Sequence, residues 1–169
     1  MTDKAKKLSL IALYSAMALI VFLVENLFPS LIVPGAKIGL GNLFVLLALY
    51  TFGVGEAFAV MMVKCVLGNL IVGNLSGMTF ALFAGTASLL TCALLAVLAK
   101  DKVTVVAVSV CGAVVNNLAQ NAVYAFVSQS PTVFVYAPYL ALVGVLSGVV
   151  VGVSTLLVIR ILPKRMKNF

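Results

Sequence analysis

Six long apolar stretches occupy nearly the whole chain and leave only short polar connections between them. Of the 169 residues, 64% are hydrophobic, which is more apolar surface than a soluble domain of this length can bury. About 20 apolar residues in a helix cover the roughly 30 Å hydrocarbon core of a bilayer. We therefore predict an all-α integral membrane protein, with one domain over residues 1–169 and six transmembrane helices. The predicted spans are Leu8–Leu27, Ile38–Phe52, Ala57–Leu75, Met78–Ala99, Val103–Val127 and Tyr139–Leu162.

Basic residues set the predicted orientation. With six spans, both termini and two of the connections share one side, and every lysine and arginine except Lys37 and Lys64 falls there. Because cytoplasmic segments carry an excess of Lys and Arg, both termini are predicted to be cytoplasmic in a multi-pass protein of the cell membrane. The net charge of +7 then reflects orientation and contact with membrane lipids, and no nucleic-acid partner is predicted.

The few strong polar side chains within the spans fall mainly in one half of the membrane. With cytoplasmic termini, spans one, two, three and five carry most of these groups in their outer halves. Ionisable and amide groups are costly in hydrocarbon, so they usually face the bundle interior and mark a site. We predict a pocket for a small polar or anionic solute, and its candidate residues are Glu25, Asn26, Lys37, Asn42, Lys64, Asn69, Asn116, Asn117, Gln120, Asn121 and Tyr124.

The same residues have a second interpretation. Asn and Gln also hydrogen-bond between membrane helices. In this alternative, the polar groups serve to join helices and form no pocket. Their spacing places Asn117, Gln120, Asn121 and Tyr124 on one helical stripe, which is either a cavity lining or a polar seam. Glu25 could set the charge of Lys64 by neutralising it.

Two glycine patterns predict close backbone approach. Gly144, Gly148 and Gly152 form a ridge on the sixth span that favours helix packing, within the bundle or with a partner. Gly39 and Gly41 precede Asn42, where they favour either local unwinding at a ligand or tight packing of the second span.

The sequence offers little for catalysis. It has no His and four carboxylates, Asp3, Glu25, Glu56 and Asp101, of which no two are spaced to share a metal ion. We expect a protein that binds rather than reacts, with no metal and no cofactor.

The order of these motifs resembles the Gx transporter family, often labelled heptaprenyl diphosphate synthase component I. The resemblance is carried by Val24-Glu25-Asn26, the stretch from Pro34 to Asn42, Lys64, and Gly112-Ala113 leading to Asn116-Asn117-Leu118-Ala119-Gln120. That family is similar to the S components of energy-coupling factor (ECF) transporters, which are six-helix proteins that bind a micronutrient from outside. They dock on a transmembrane coupling protein with two ATPases. The resemblance implies an S-component-like bundle with a docking face at Ala12 and Ala16.

The resemblance favours a substrate-binding membrane subunit that captures a small micronutrient-like solute for ATP-driven uptake by a separate coupling module. The alternative is an accessory membrane component of prenyl diphosphate or quinone biosynthesis. Prenyl synthases hold diphosphate through magnesium on aspartate-rich motifs, which this sequence lacks, so the chain is not expected to be the catalytic component. A third hypothesis is a structural or sensory protein whose polar seam only joins helices.

Overall fold

The computed structural model describes residues 3–27, 39–99 and 103–162. These residues form six α-helices and one 3₁₀ helix, and no strand occurs among them. In chain order they are α1 (Asp3–Leu27), α2 (Asn42–Thr51), α3 (Val54–Val72), α4 (Leu75–Ala99), α5 (Val105–Ser128), the 3₁₀ helix (Pro131–Tyr136) and α6 (Ala137–Ile161). Five helices are long and apolar enough to cross a membrane. The predicted all-α, multi-pass membrane fold is confirmed.

The second helix is shorter than the predicted second span. α2 has 10 residues, or about 15 Å at 1.5 Å per residue, which is half of the hydrocarbon core. Gly39 has a φ of 75°, which is a left-handed conformation that a helix cannot include. The N–H of Asn42 instead donates to the Gly39 carbonyl at 2.9 Å and closes a turn. Val45–Thr51 are all buried, so the other helices enclose α2.

Local capping explains where several of the longer helices begin and end. The Thr104 hydroxyl accepts the Ala107 N–H at 3.2 Å and caps the start of α5. Gly73, with a φ of 74°, ends α3 in the left-handed conformation common after helices. The Asn74 side chain then accepts the Gly77 N–H at 2.7 Å at the start of α4.

The core lies around α2. Leu47 and Leu49 of α2, Val60 and Met61 of α3, and Val108 of α5 are at most 2% exposed. Large apolar side chains are exposed along the outer faces of the long helices, as expected where lipid is the solvent.

A glycine ridge holds α6 directly against α5. A Cβ added at Gly148 would lie 2.5 Å from the Cα of Val110. Gly144 meets Val114, and Gly152 meets Val106, in the same way. The ridge therefore packs within the bundle, because only glycine lets the two backbones approach this closely.

One ion pair ties the amino-terminal end of α1 to the start of α3. Lys7 donates to the Glu56 carboxylate. The connection between α2 and α3 therefore lies on the same side of the bundle as the start of α1. This placement is the one that an alternating arrangement of spans requires. We call the opposite half of the bundle, which contains the end of α1, the outer half.

Candidate functional site

The turn before α2 lies against the outer part of α1. The Glu25 carboxylate accepts the N–H of Leu40 at 2.8 Å. A Cβ added at Gly41 would lie 3.1 Å from the Ala18 carbonyl oxygen and 3.2 Å from the Lys64 Cδ. Gly41 thus permits a close approach of the turn to both α1 and α3, while Glu25 holds its backbone.

Lys64 is buried on α3 beside this turn. Its side chain is 7% exposed, and its ammonium group donates to the Asn42 side-chain oxygen. Lys7–Glu56 is the ion pair found among the described residues. The idea that Glu25 neutralises Lys64 by direct pairing is therefore wrong, because Glu25 accepts from the Leu40 N–H and Lys64 donates to an amide oxygen.

A cavity of about 40 Å³ lies inside the bundle between α2 and helices α3 to α6. Asn42 lines it, so the partner of Lys64 is also part of the cavity wall. The other polar groups of the wall are the serines at 88, 109 and 147 and the Cys92 thiol. Its volume suits a few water molecules or a small polar group.

These serines were not among the site residues predicted from the sequence. The Ser88 hydroxyl donates to the Gly112 carbonyl at 2.8 Å, and the Ser147 hydroxyl donates to the Gly144 carbonyl at 3.1 Å. Hydroxyls in apolar helices commonly bond to backbone carbonyls. Nothing in the sequence separates such a serine from one that lines a cavity, so the neighbouring helices had to be known.

One face of α5 runs from the cavity toward the outer half. Ser109 and Ala113 line the cavity, and Asn116 and Gln120 follow on the same face at a spacing of three and four residues. Both are partly buried. Neither side-chain amide has a hydrogen-bond partner within the described ranges.

The buried amides of α5 face other neighbours. Asn117 donates to the Leu140 carbonyl of α6 at 3.1 Å, and Asn121 donates to the Val133 carbonyl of the 3₁₀ helix at 3.3 Å. Tyr124 is 52% exposed and packs edge-on against Phe80 of α4, with ring centroids 6.1 Å apart. The predicted stripe therefore divides, because its members meet three different elements.

Two further candidates bond within their own helices. Asn26 donates to the Phe22 carbonyl at 2.6 Å, and Asn69 donates to the Cys65 carbonyl at 2.7 Å. Asn69 is 2% exposed. Lys37 lies outside the described residues. The structure thus brings Glu25, Asn42 and Lys64 around one turn, with Asn116 and Gln120 on a face that leads away from the cavity.

The two alanines predicted as a docking face lie on the outside of α1. Ala12 and Ala16 are exposed, whereas Tyr14 and Ala18 are buried against the bundle. The small side chains are therefore available to lipid or to another protein.

The arrangement is suited to hydrogen bonding and charge pairing. Among the described residues, no group of three His, Cys, Asp or Glu side chains could hold a metal ion. The clustered groups are one ammonium, one carboxylate bound to a backbone N–H, and several amides and hydroxyls. Such a set can orient a polar ligand.

The comparison with known protein families supports the first of the resemblances seen in the sequence. Residues 14–158 match the model described as heptaprenyl diphosphate synthase component I. No curated protein matches the chain. Since the match covers most of the sequence, the chain belongs to the heptaprenyl diphosphate synthase component I family.

Proposed function

We propose that this chain is a binding subunit in the membrane, with a site for a small polar molecule formed by Lys64, Asn42 and the adjoining cavity. The observation that carries the proposal is the shared position of Asn42, which accepts from a buried lysine and lines the cavity at once. Packing of the helices alone would not require a buried lysine beside a polar cavity, and such costly groups in a membrane protein usually mark a site.

The family description favours an accessory role in heptaprenyl diphosphate synthesis. In this role the chain would bind a prenyl diphosphate or a related intermediate and present it to a catalytic component. The diphosphate would lie at Lys64. An isoprenoid tail does not fit a cavity of about 40 Å³, so it would lie between helices in the lipid. The family description supports this role more directly than it supports transport.

A second role is capture of a solute for uptake, as in the ECF S components that the sequence resembles. The exposed Ala12 and Ala16 support it, because small residues on an outer face allow close docking of another membrane helix. In this role the solute would enter from the outer half, and a separate coupling protein with ATPases would supply the energy.

Binding is tested by native mass spectrometry of the purified full chain released from detergent. We expect a retained small molecule that is lost in a variant of the site, Asn42→Leu, and kept in Asn121→Leu, whose wild-type amide bonds to the 3₁₀ helix. A chain that retains nothing from its membrane and is stabilised by no metabolite extract would argue for the purely structural role.

The two roles are separated by reconstitution in vesicles. The accessory role predicts that the chain changes the rate or product length of a catalytic prenyl synthase component mixed with it. The capture role predicts ATP-dependent accumulation of the retained molecule when a coupling module is present. Uptake driven by this chain alone with a proton gradient would contradict both.

A further inference from the structure

We infer that the Lys64–Asn42 pair binds an oxyanion, which is a carboxylate or phosphate group of a small molecule or of a lipid headgroup. The inference rests on the proposed binding function and names the chemical class of its ligand. Three observations lead to it: the absence of a carboxylate partner for Lys64 among the described residues, the unused hydrogen-bond donors at the pair, and the position of the amino-terminal end of α2.

The positive charge of Lys64 has no carboxylate partner in the part of the chain that the structure describes. The side chain is 7% exposed, and buried charges in proteins are normally paired. Glu25, the one acid that the described residues place in the outer half, accepts from the Leu40 N–H instead. Residues 28–38 contain Lys37 and neither Asp nor Glu.

The Lys64–Asn42 pair has more hydrogen-bond donors than the described residues provide acceptors for. An ammonium group has three N–H donors, and one of those on Lys64 goes to the Asn42 oxygen. The Asn42 side-chain nitrogen has no acceptor within the described ranges. A ligand that lies here satisfies these groups when it brings several acceptor oxygens and a negative charge, and carboxylates and phosphates do both.

The start of α2 adds to the positive potential. α2 begins at Asn42. The N–H groups of Asn42 and Leu43 donate to the preceding turn, but the amino-terminal end of a helix still carries a partial positive charge that favours anions. The Lys64 ammonium lies at this helix end, because it donates to the side chain of Asn42, the first residue of α2. The adjoining cavity, which has serine hydroxyls in its wall, then gives room for a few polar atoms of the same ligand.

The inference is tested by calorimetric titration of the purified full chain in phosphatidylcholine nanodiscs. The probes are inorganic phosphate, inorganic diphosphate and acetate. We expect at least one of them to bind, and Lys64→Met to weaken that binding about 30-fold or more, because the cation is lost from a buried pair while a straight side chain still fills the space. The matched control is Lys7→Met, which removes a lysine from the opposite half and should leave the affinity unchanged.

A second variant separates loss of binding from loss of folding. Asn42→Asp places a carboxylate where Lys64 now meets an amide oxygen. We expect this variant to unfold at a higher temperature than the wild type and to lose binding of the same anion, because the counter-charge is then internal. Anion binding that persists in both Lys64→Met and Asn42→Asp overturns the inference.

The source of the oxyanion is resolved in nanodiscs that contain phosphatidylglycerol. If the ligand is a headgroup, native mass spectrometry should detect this lipid on the wild type and on neither site variant. No binding of the three soluble anions together with no retained anionic lipid overturns the inference. A neutral molecule that the wild type retains and Asn42→Leu loses, with no binding of any anion, would also overturn it while leaving the proposed binding function intact.

Discussion

The α5–α6 pair and the corner formed by α1, the 39–41 turn and α3 are built by opposite means. Glycines let the backbones of α5 and α6 touch, and buried amides such as Asn117 bond across to carbonyls. The corner contains Glu25, Lys64 and the amino-terminal end of the short helix α2. The first region fixes the positions of helices, whereas the second concentrates charge next to a cavity. Polar residues in a membrane bundle therefore serve two purposes that residue type alone does not separate.

The largest effect is expected from a methyl group added to the ridge. In Gly148→Ala the new Cβ would lie 2.5 Å from a backbone atom of Val110, which cannot move without separating the helices. We expect the free energy of unfolding to fall by about 3 kcal/mol, the upper end for an overpacked core, as measured by unfolding in mixed micelles.

The control for this change is Gly55→Ala, since nothing lies within 4 Å of a Cβ at that position of α3. Its stability should be unchanged or slightly raised because alanine favours helix. Equal losses in the two variants would contradict the view that the ridge glycines are required for close contact between α5 and α6.

A smaller effect is expected from the equivalent change in the corner. A Cβ on Gly68 of α3 would lie 2.5 Å from the Phe22 ring of α1. A ring can rotate where a backbone cannot, so Gly68→Ala should cost about 1 kcal/mol, the lower end of the overpacking range. The same unfolding measurement tests it. A loss equal to that of Gly148→Ala would show that the corner is packed as rigidly as the ridge.

The amides of α5 offer a matched pair that divides the two purposes on one helix. Asn117→Leu removes a buried hydrogen bond to α6 and should lower stability by about 1 kcal/mol without changing ligand binding. Gln120 lies on the α5 face that begins at the cavity, and its amide has no partner within the described ranges. Gln120→Leu should therefore leave stability nearly unchanged and weaken binding of a retained molecule that extends along this face. Unfolding curves and native mass spectrometry on both variants provide the measurements. The opposite assignment of losses would reverse the roles given to these two residues.

The smallest effect is expected at the Lys7–Glu56 pair. Lys7 is 47% exposed at its side chain, and pairs that exposed contribute about 0–1 kcal/mol. Lys7→Met should therefore change the unfolding free energy by less than 1 kcal/mol, and added salt should shrink the difference further. A larger loss would mean that the connection from α2 to α3 is held mainly by this contact.

The helical membrane fold was predictable because lipid imposes a simple rule. Backbone groups must bond within a helix, and about 20 apolar residues must cover the hydrocarbon. Five predicted spans correspond to α1, α3, α4, α5 and α6 to within a few residues at most ends. The ridge around Gly148 was also predictable as a packing face, since glycines four residues apart have one common side. α2 was overestimated, because the left-handed turn at Gly39 depends on its contacts with α1 and α3.

The sequence by itself determined that the chain is a bundle of apolar helices with a few costly polar groups, because hydropathy and spacing act locally. Only the tertiary structure decided which of those groups meet. It paired Lys64 with Asn42 rather than with Glu25, turned Asn117 and Asn121 toward backbone carbonyls, and brought three serines around a cavity. These outcomes depend on how the helices rotate against one another. That rotation is set by close contacts such as those of Gly41 and Gly148, which join residues far apart in the chain.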